Sequence, residues 1–309
     1  MPSFQDFYFQ SSTGRTSIHA LKCVPDGKPR AVVQIAHGIA EHIDRYRPFM
    51  EFLADNGFVA AGNDHLGHGK SIRVPKEQGF FAEKDGWWRV VDDMDKLHGI
   101  MSKEYPELPY VLFGHSMGSF LTRTYLIKHP DRYDAVILSG TGHQSPALVL
   151  GGNAAASVMA KLNGAMGDGA KLDSLAFGTY LSKIENPRTK FDWLSRDTEQ
   201  VDKYIADPLC GFVGKIGLYR DMMQGIKFIT SEKNIAQMNK EKPVYFMSGD
   251  GDPVGDYGKG VERAYKAFCN AGLHDVFMRL YPGGRHEMLN ETNKEQVYQD
   301  ILNWLNEKI

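Results

Sequence analysis

A serine hydroxyl becomes an effective nucleophile only beside a general base, and that base needs an acid to orient it. Ser116 is the first candidate. It sits in the pentad Gly114-His115-Ser116-Met117-Gly118, directly after the apolar run Tyr110-Val111-Leu112-Phe113. The run reads as a buried strand. Residues 119–128 have helical spacing, with Leu121, Tyr125 and Lys128 on one side. A serine between strand and helix, with glycine two residues away on either side, has the pattern of a nucleophile elbow. The glycines remove side chains that would crowd so tight a turn. The helix that follows aims its first N–H groups at the point where negative charge develops.

In an elbow of this kind the chain order is Ser, then Asp or Glu, then His. Tyr281-Pro282-Gly283-Gly284-Arg285-His286-Glu287 places His286 in a glycine-rich loop after the last expected strand. A base there can overhang the serine. A zinc-binding His-Glu-x-x-His pattern fails, because position 290 is Asn290. The preceding strand leads into Gly249-Asp250-Gly251-Asp252-Pro253, which offers two acids. Asp252 is preferred, being further into the loop with Pro253 stiffening its exit. Asp250 is expected to bond loop N–H groups, as Asp does in turns.

Acyl transfer also needs two N–H donors aimed at the developing oxyanion. Met117, after the nucleophile, supplies one. The loop His37-Gly38-Ile39, after an early strand, supplies the other through Ile39. His37 reads as a structural histidine fixing this loop. His42, His65 and His68 read as members of glycine-rich loops rather than metal ligands. The sequence thus asks for no metal and no cofactor.

These residues need a scaffold. Strand patterns at 31–36, 58–62, 110–113, 135–139, 243–248 and 276–281 alternate with helical ones at 46–56, 87–104, 119–128, 260–271 and 293–308. Val297, Ile301, Trp304 and Leu305 form the inner face of the last. A hairpin over 6–11 and 17–24 precedes them. Such alternation predicts an α/β protein, its mostly parallel central sheet covered by helices on both faces. The rhythm breaks between about 140 and 240, where helical stretches at 147–170 and 172–182 precede aromatic and acidic segments. The expected organisation is a core of residues 1–140 and 241–309 with a helical cap, 141–240, inserted over Ser116.

The remaining composition narrows the function classes. The 309 residues carry a net charge of −2, with no basic tract of the kind that binds nucleic acid. The three cysteines, Cys23, Cys210 and Cys269, are too scattered for a disulfide framework or a metal site. The first ten residues lack a charged segment followed by an apolar one, and no apolar run approaches the roughly 18–20 residues of a spanning helix. A cytoplasmic location is therefore expected. The oligomeric state is left open.

His37-Gly38-Ile39-Ala40-Glu41-His42, Arg45-Tyr46, Asn63-Asp64-His65-Leu66-Gly67-His68-Gly69-Lys70-Ser71 and the serine pentad, with the Asp252 and His286 loops, resemble the monoacylglycerol lipase and lysophospholipase branch of the α/β-hydrolases. The branch includes serine aminopeptidases. The resemblance covers nearly the whole core and is weaker across the cap. It implies an α/β-hydrolase fold, a metal-free triad of Ser116, Asp252 and His286, and an oxyanion hole from Ile39 and Met117. It also implies hydrolysis of a carboxylic ester, such as a monoacylglycerol or lysophospholipid.

Leu148, Val149, Leu150, Val158, Met159, Leu162, Met166, Leu175, Phe177, Tyr180, Leu181, Phe212, Met222 and Met223 are the cap residues available to line an acyl channel. An apolar cap edge would also offer transient contact with a lipid aggregate, although residues 147–160 lack a basic polar face. Two other readings are open: the same triad acting on a small ester, thioester or peptide-like amide, and a non-catalytic binding protein of the same fold.

Overall fold

The structure is a computed structural model that describes all 309 residues. Its centre is an eight-stranded sheet ordered β1-β2-β4-β3-β5-β6-β7-β8. The strands are β1 (Ser3–Gln10), β2 (Ser17–Val24), β3 (Ala31–Ala36), β4 (Phe58–Asn63), β5 (Tyr110–His115), β6 (Ala135–Ser139), β7 (Val244–Gly249) and β8 (Val276–Tyr281). β1 and β2 form an antiparallel hairpin that joins β4 antiparallel. All pairings from β4 to β8 are parallel. The hairpin begins three residues earlier than its pattern predicts, because Ser3 to Gln10 all pair with β2.

β3, β4, β5, β6 and β7 are buried along their whole length. Burial on both faces explains why they read as continuous apolar runs. Helices Arg47–Asp55 and Lys294–Lys308 cover one face, through Phe49, Leu53, Ile301 and Trp304. Helices Gly86–Glu104, Met117–Lys128 and Lys259–Asn270 cover the other, through Trp87, Val90, Leu121 and Phe268.

The one-sided reading of the helix behind Ser116 is overturned. Every residue from Met117 to Ile127 is buried. The sheet packs on one side of this helix, and helices Gly86–Glu104 and Ile216–Ile229 close over the rest. Even Arg123 lies inside, donating to the carbonyls of Gly142 (2.7 Å) and Ile229 (3.2 Å).

Between β6 and β7 the chain forms helices Pro146–Asn163, Ala170–Phe177, Thr198–Ala206, Ile216–Ile229 and Glu232–Ile235. The helical stretch predicted over 147–170 breaks at Gly164, whose φ of +78° ends the first helix. Leu218, Met222, Ile226 and Ile229 join the same apolar cluster as Trp87 and Leu121. This segment is thus fused to the core rather than merely resting on it. No helix is long and apolar enough to cross a membrane.

Candidate active site

Ser116 occupies the turn between β5 and its helix at φ +54°, ψ −122°, a strained conformation for a residue with a side chain. The strain is held by close packing. A Cβ on Gly118 would run into the Ala36 carbonyl at the end of β3, and one on Gly114 would meet the Thr122 hydroxyl. Glycine at both positions lets the elbow nest against the neighbouring strand.

His286 follows β8 and Asp252 follows β7. The His286 Nδ1–H donates to Asp252 Oδ2 at 2.9 Å. Asp252 also accepts from the Ser248 hydroxyl (3.2 Å) and, at Oδ1, from the Val254 N–H (2.9 Å). Its carboxylate is fully buried and fixed at both oxygens. Asp250 instead accepts the Gly283 N–H at 2.7 Å, as expected of a turn aspartate. Gly140, at φ +58°, leaves room for the imidazole, since a Cβ there would stand 2.9 Å from His286 Cε1. Ser116 and His286 face one cavity.

Burial works against a charged His286. The Asp252 charge and hydrogen bond, with the charges of Glu287 and Glu41, outweigh it, so the imidazole pKa rises above its ordinary value. His115, 4.7 Å away between ring centroids, is held down to about 4 by burial and by His286 itself. The Ile39 N–H makes no backbone hydrogen bond. Met117 begins its helix, so its N–H has no intrahelical acceptor.

The remaining histidines hold loops. His37 Nδ1–H donates to the Gly38 carbonyl (2.7 Å), and its Nε2 accepts the His65 N–H (3.0 Å). His65 Nε2 bonds the His37 carbonyl and His68 Nδ1 the Leu66 carbonyl. Burial lowers His65 to about 3 and His68 to about 4. His42 pairs with Asp207 at 2.8 Å, and with Cys210 this is the one grouping whose donor atoms lie close enough to share a cation.

Two cavities meet at Ser116. One, of about 310 Å³, is lined by Glu41, Asp173, Lys190, His286 and Glu287 among apolar neighbours. The other, of about 430 Å³, has 17 hydrophobic residues among the 22 that line it. Leu148, Val149, Leu175, Phe177, Tyr180, Met222 and Met223 face the second, and Phe177, Leu181 and Phe212 the first. Leu150, Val158 and Leu162 do not line either cavity but project into solvent. Met159 packs against the core, and Met166 also lies outside both cavities.

Several site residues escaped the sequence reading. The Trp193 ring lies 5.0 Å from the His286 ring, tilted by 40°, and its carbonyl accepts the His286 N–H. Arg45 joins Glu41 to Glu287. Arg45 and Glu287 are 242 positions apart, so no local spacing could pair them.

A parallel sheet whose central strand ends in a serine elbow, with a buried Asp–His pair on later strand ends, defines an α/β-hydrolase. The chain belongs to the family described as serine aminopeptidase, S33, whose sequence profile matches residues 27–293. It is 30% identical to a monoacylglycerol lipase of Mycolicibacterium smegmatis, over 91% of this chain and 90% of that protein. It is 27% identical to the monoglyceride lipase of Homo sapiens, over 92% and 85% respectively. Among solved structures, a thermostable carboxyl esterase from Bacillus coagulans, in complex with glycerol, superposes with a TM-score of 0.92 at 32% identity, covering 99% of both chains. The protein is a hydrolytic enzyme.

Proposed function

We propose that this serine ester hydrolase cleaves single-chain lipid esters, monoacylglycerols or lysophospholipids, through an acyl-enzyme on Ser116. His286 takes the Ser116 proton as Oγ attacks the ester carbonyl. The Ile39 and Met117 N–H groups stabilise the tetrahedral oxyanion. His286, now protonated and held by Asp252, gives its proton to the leaving alcohol. Water then repeats the cycle on the acyl-enzyme.

The observation that carries this reading is the meeting of two unlike cavities at Ser116. The apolar one suits an acyl chain, and the mixed one suits a polar alcohol. The names of the relatives point the same way. An aminopeptidase would need a free carboxylate for the substrate's ammonium group. Here Glu41 and Glu287 are engaged by Arg45, which leaves Asp173, whose Oδ1 accepts the neutral Tyr219 hydroxyl at 2.6 Å, as the one acid of this cavity without a cationic partner. Exposed Leu148, Leu150, Val158, Leu162 and Leu175, all on residues 146–177, support transient contact with a lipid aggregate.

The test is an acyl-chain series of p-nitrophenyl esters with wild type and Ser116→Ala. A fluorophosphonate should label Ser116, and S116A should lose turnover while melting like wild type. Full activity in S116A would overturn the triad. A sharp optimum at two carbons would overturn the lipid substrate.

A further inference from the structure

We propose that Arg45 is a positioning residue that clamps the loop bearing Gly38 and Ile39 to the loop bearing His286. The inference rests on the proposed roles of Ile39 and His286. Arg45 Nη1 meets Glu41 Oε2 at 2.5 Å on one side. On the other, Nη1 and Nη2 grip Glu287 Oε1 and Oε2 at 2.7 Å each, a two-pronged contact that fixes direction as well as distance.

Both carboxylates are tied directly to the reacting loops. Glu41 Oε1 accepts the Gly38 N–H at 2.5 Å and the Tyr46 hydroxyl at 2.9 Å. Gly38 is packed so tightly that a Cβ there would lie 3.2 Å from Ser116 Cβ. Glu287 is covalently next to His286. The guanidinium also lies over the Tyr204 ring at 4.8 Å, and the Tyr204 hydroxyl donates to the Ala40 carbonyl at 2.9 Å. Ala40 itself sits at φ +54°, so this loop is strained and needs holding.

All three charged side chains are nearly sealed from water, with 12%, 4% and 6% of their surface exposed for Arg45, Glu41 and Glu287. Burying such a triplet is costly, and an apolar replacement is often as stable. Global stability is thus a poor reason for its presence. Alignment of two loops far apart in sequence is a better one.

The triplet also bears on the base electrically. The charges that act on His286 are those of Asp252, Glu287 and Glu41, neutral His115 lies beside it, and Asp173 and Lys190 line the same cavity. Glu287 and Glu41 favour the imidazolium, and the Arg45 cation that bridges them carries the opposite charge. Removing Arg45 and removing the Glu287 charge should therefore move the base in opposite directions.

The experiment compares wild type, R45M, R45K and E287Q, each checked by circular dichroism. It measures ester kinetics, the pH profile of kcat/KM, and hydrogen–deuterium exchange of peptides covering 37–42 and 283–290. In R45M, kcat should fall about tenfold or more, as expected when a reacting group is misplaced, with KM within about twofold. Both loops should exchange faster while the β5 and β6 peptides do not. R45K should recover part of kcat. The acid limb should move to higher pH in R45M and to lower pH in E287Q.

A folded R45M with kcat within about twofold of wild type, a loss confined to KM, or unchanged exchange in either loop would overturn the proposal. Should R45M fail to fold, E287Q meets the same exchange and kcat criteria. If wild type hydrolyses no ester, the proposed function fails. The exchange data still decide whether the clamp exists.

Discussion

Asp252 receives His286 Nδ1–H on one carboxylate oxygen and the Val254 N–H on the other. Both positions demand an acceptor. An asparagine can offer only one, so Asp252→Asn must either set its amide against the Val254 N–H or donate to His286 Nδ1. The second arrangement leaves the proton on Nε2, where the base must be free to accept. D252N should lower kcat by roughly 10³–10⁴-fold with KM little changed. Steady-state kinetics on a soluble ester would check this, and a loss smaller than about tenfold would argue that another acid orients the base.

The raised pKa of His286 sets the acid side of the pH profile. A general base works when neutral. The carboxylates of Asp252, Glu287 and Glu41 favour the protonated ring, so the base stays charged to higher pH than a free imidazole. kcat/KM should rise with pH through a midpoint above the ordinary 6.5. A midpoint below that value would contradict the electrostatics of the site.

The apolar cavity is expected to determine acyl-chain preference. Ala176 lines it from helix Ala170–Phe177. Ala176→Phe should fill part of it and shift the ratio of long-chain to short-chain kcat/KM toward short chains by about tenfold or more, the scale of one misplaced methylene. A p-nitrophenyl butyrate-to-palmitate comparison would measure the ratio. An unchanged ratio would place the acyl chain elsewhere.

Gly118 links elbow and sheet. Because a Cβ there meets the carbonyls of Ala36 and His37, Gly118→Ala must push the elbow away from the end of β3. Overpacking of this kind costs about 1–3 kcal/mol. Thermal melting should show the loss, and activity should fall with it, because β3 leads into the Ile39 loop. A G118A protein as stable and active as wild type would refute the packing argument.

The sequence by itself determined the elements whose identity is local. β2, β3, β6 and β8 have the bounds their patterns predict; for β3 and β6 the reason is that buried parallel strands announce themselves as short apolar runs between turn residues. The elbow, the loop acid and the loop base were legible for the same reason: each sits where a strand ends, and chain order distinguishes their roles. The tertiary structure decided what depends on encounter. Residues Met117 to Ile127 are buried on every side of their helix because two other helices close over it, which no periodicity records. Helix Pro146–Asn163 is apolar around much of its circumference, so its sequence could not say that Val149 is buried at the cavity while Leu150, Val158 and Leu162 face water. The Glu41–Arg45–Glu287 triplet exists only because the fold brings the loops after β3 and β8 together, and charge pairing over that separation leaves no trace in spacing.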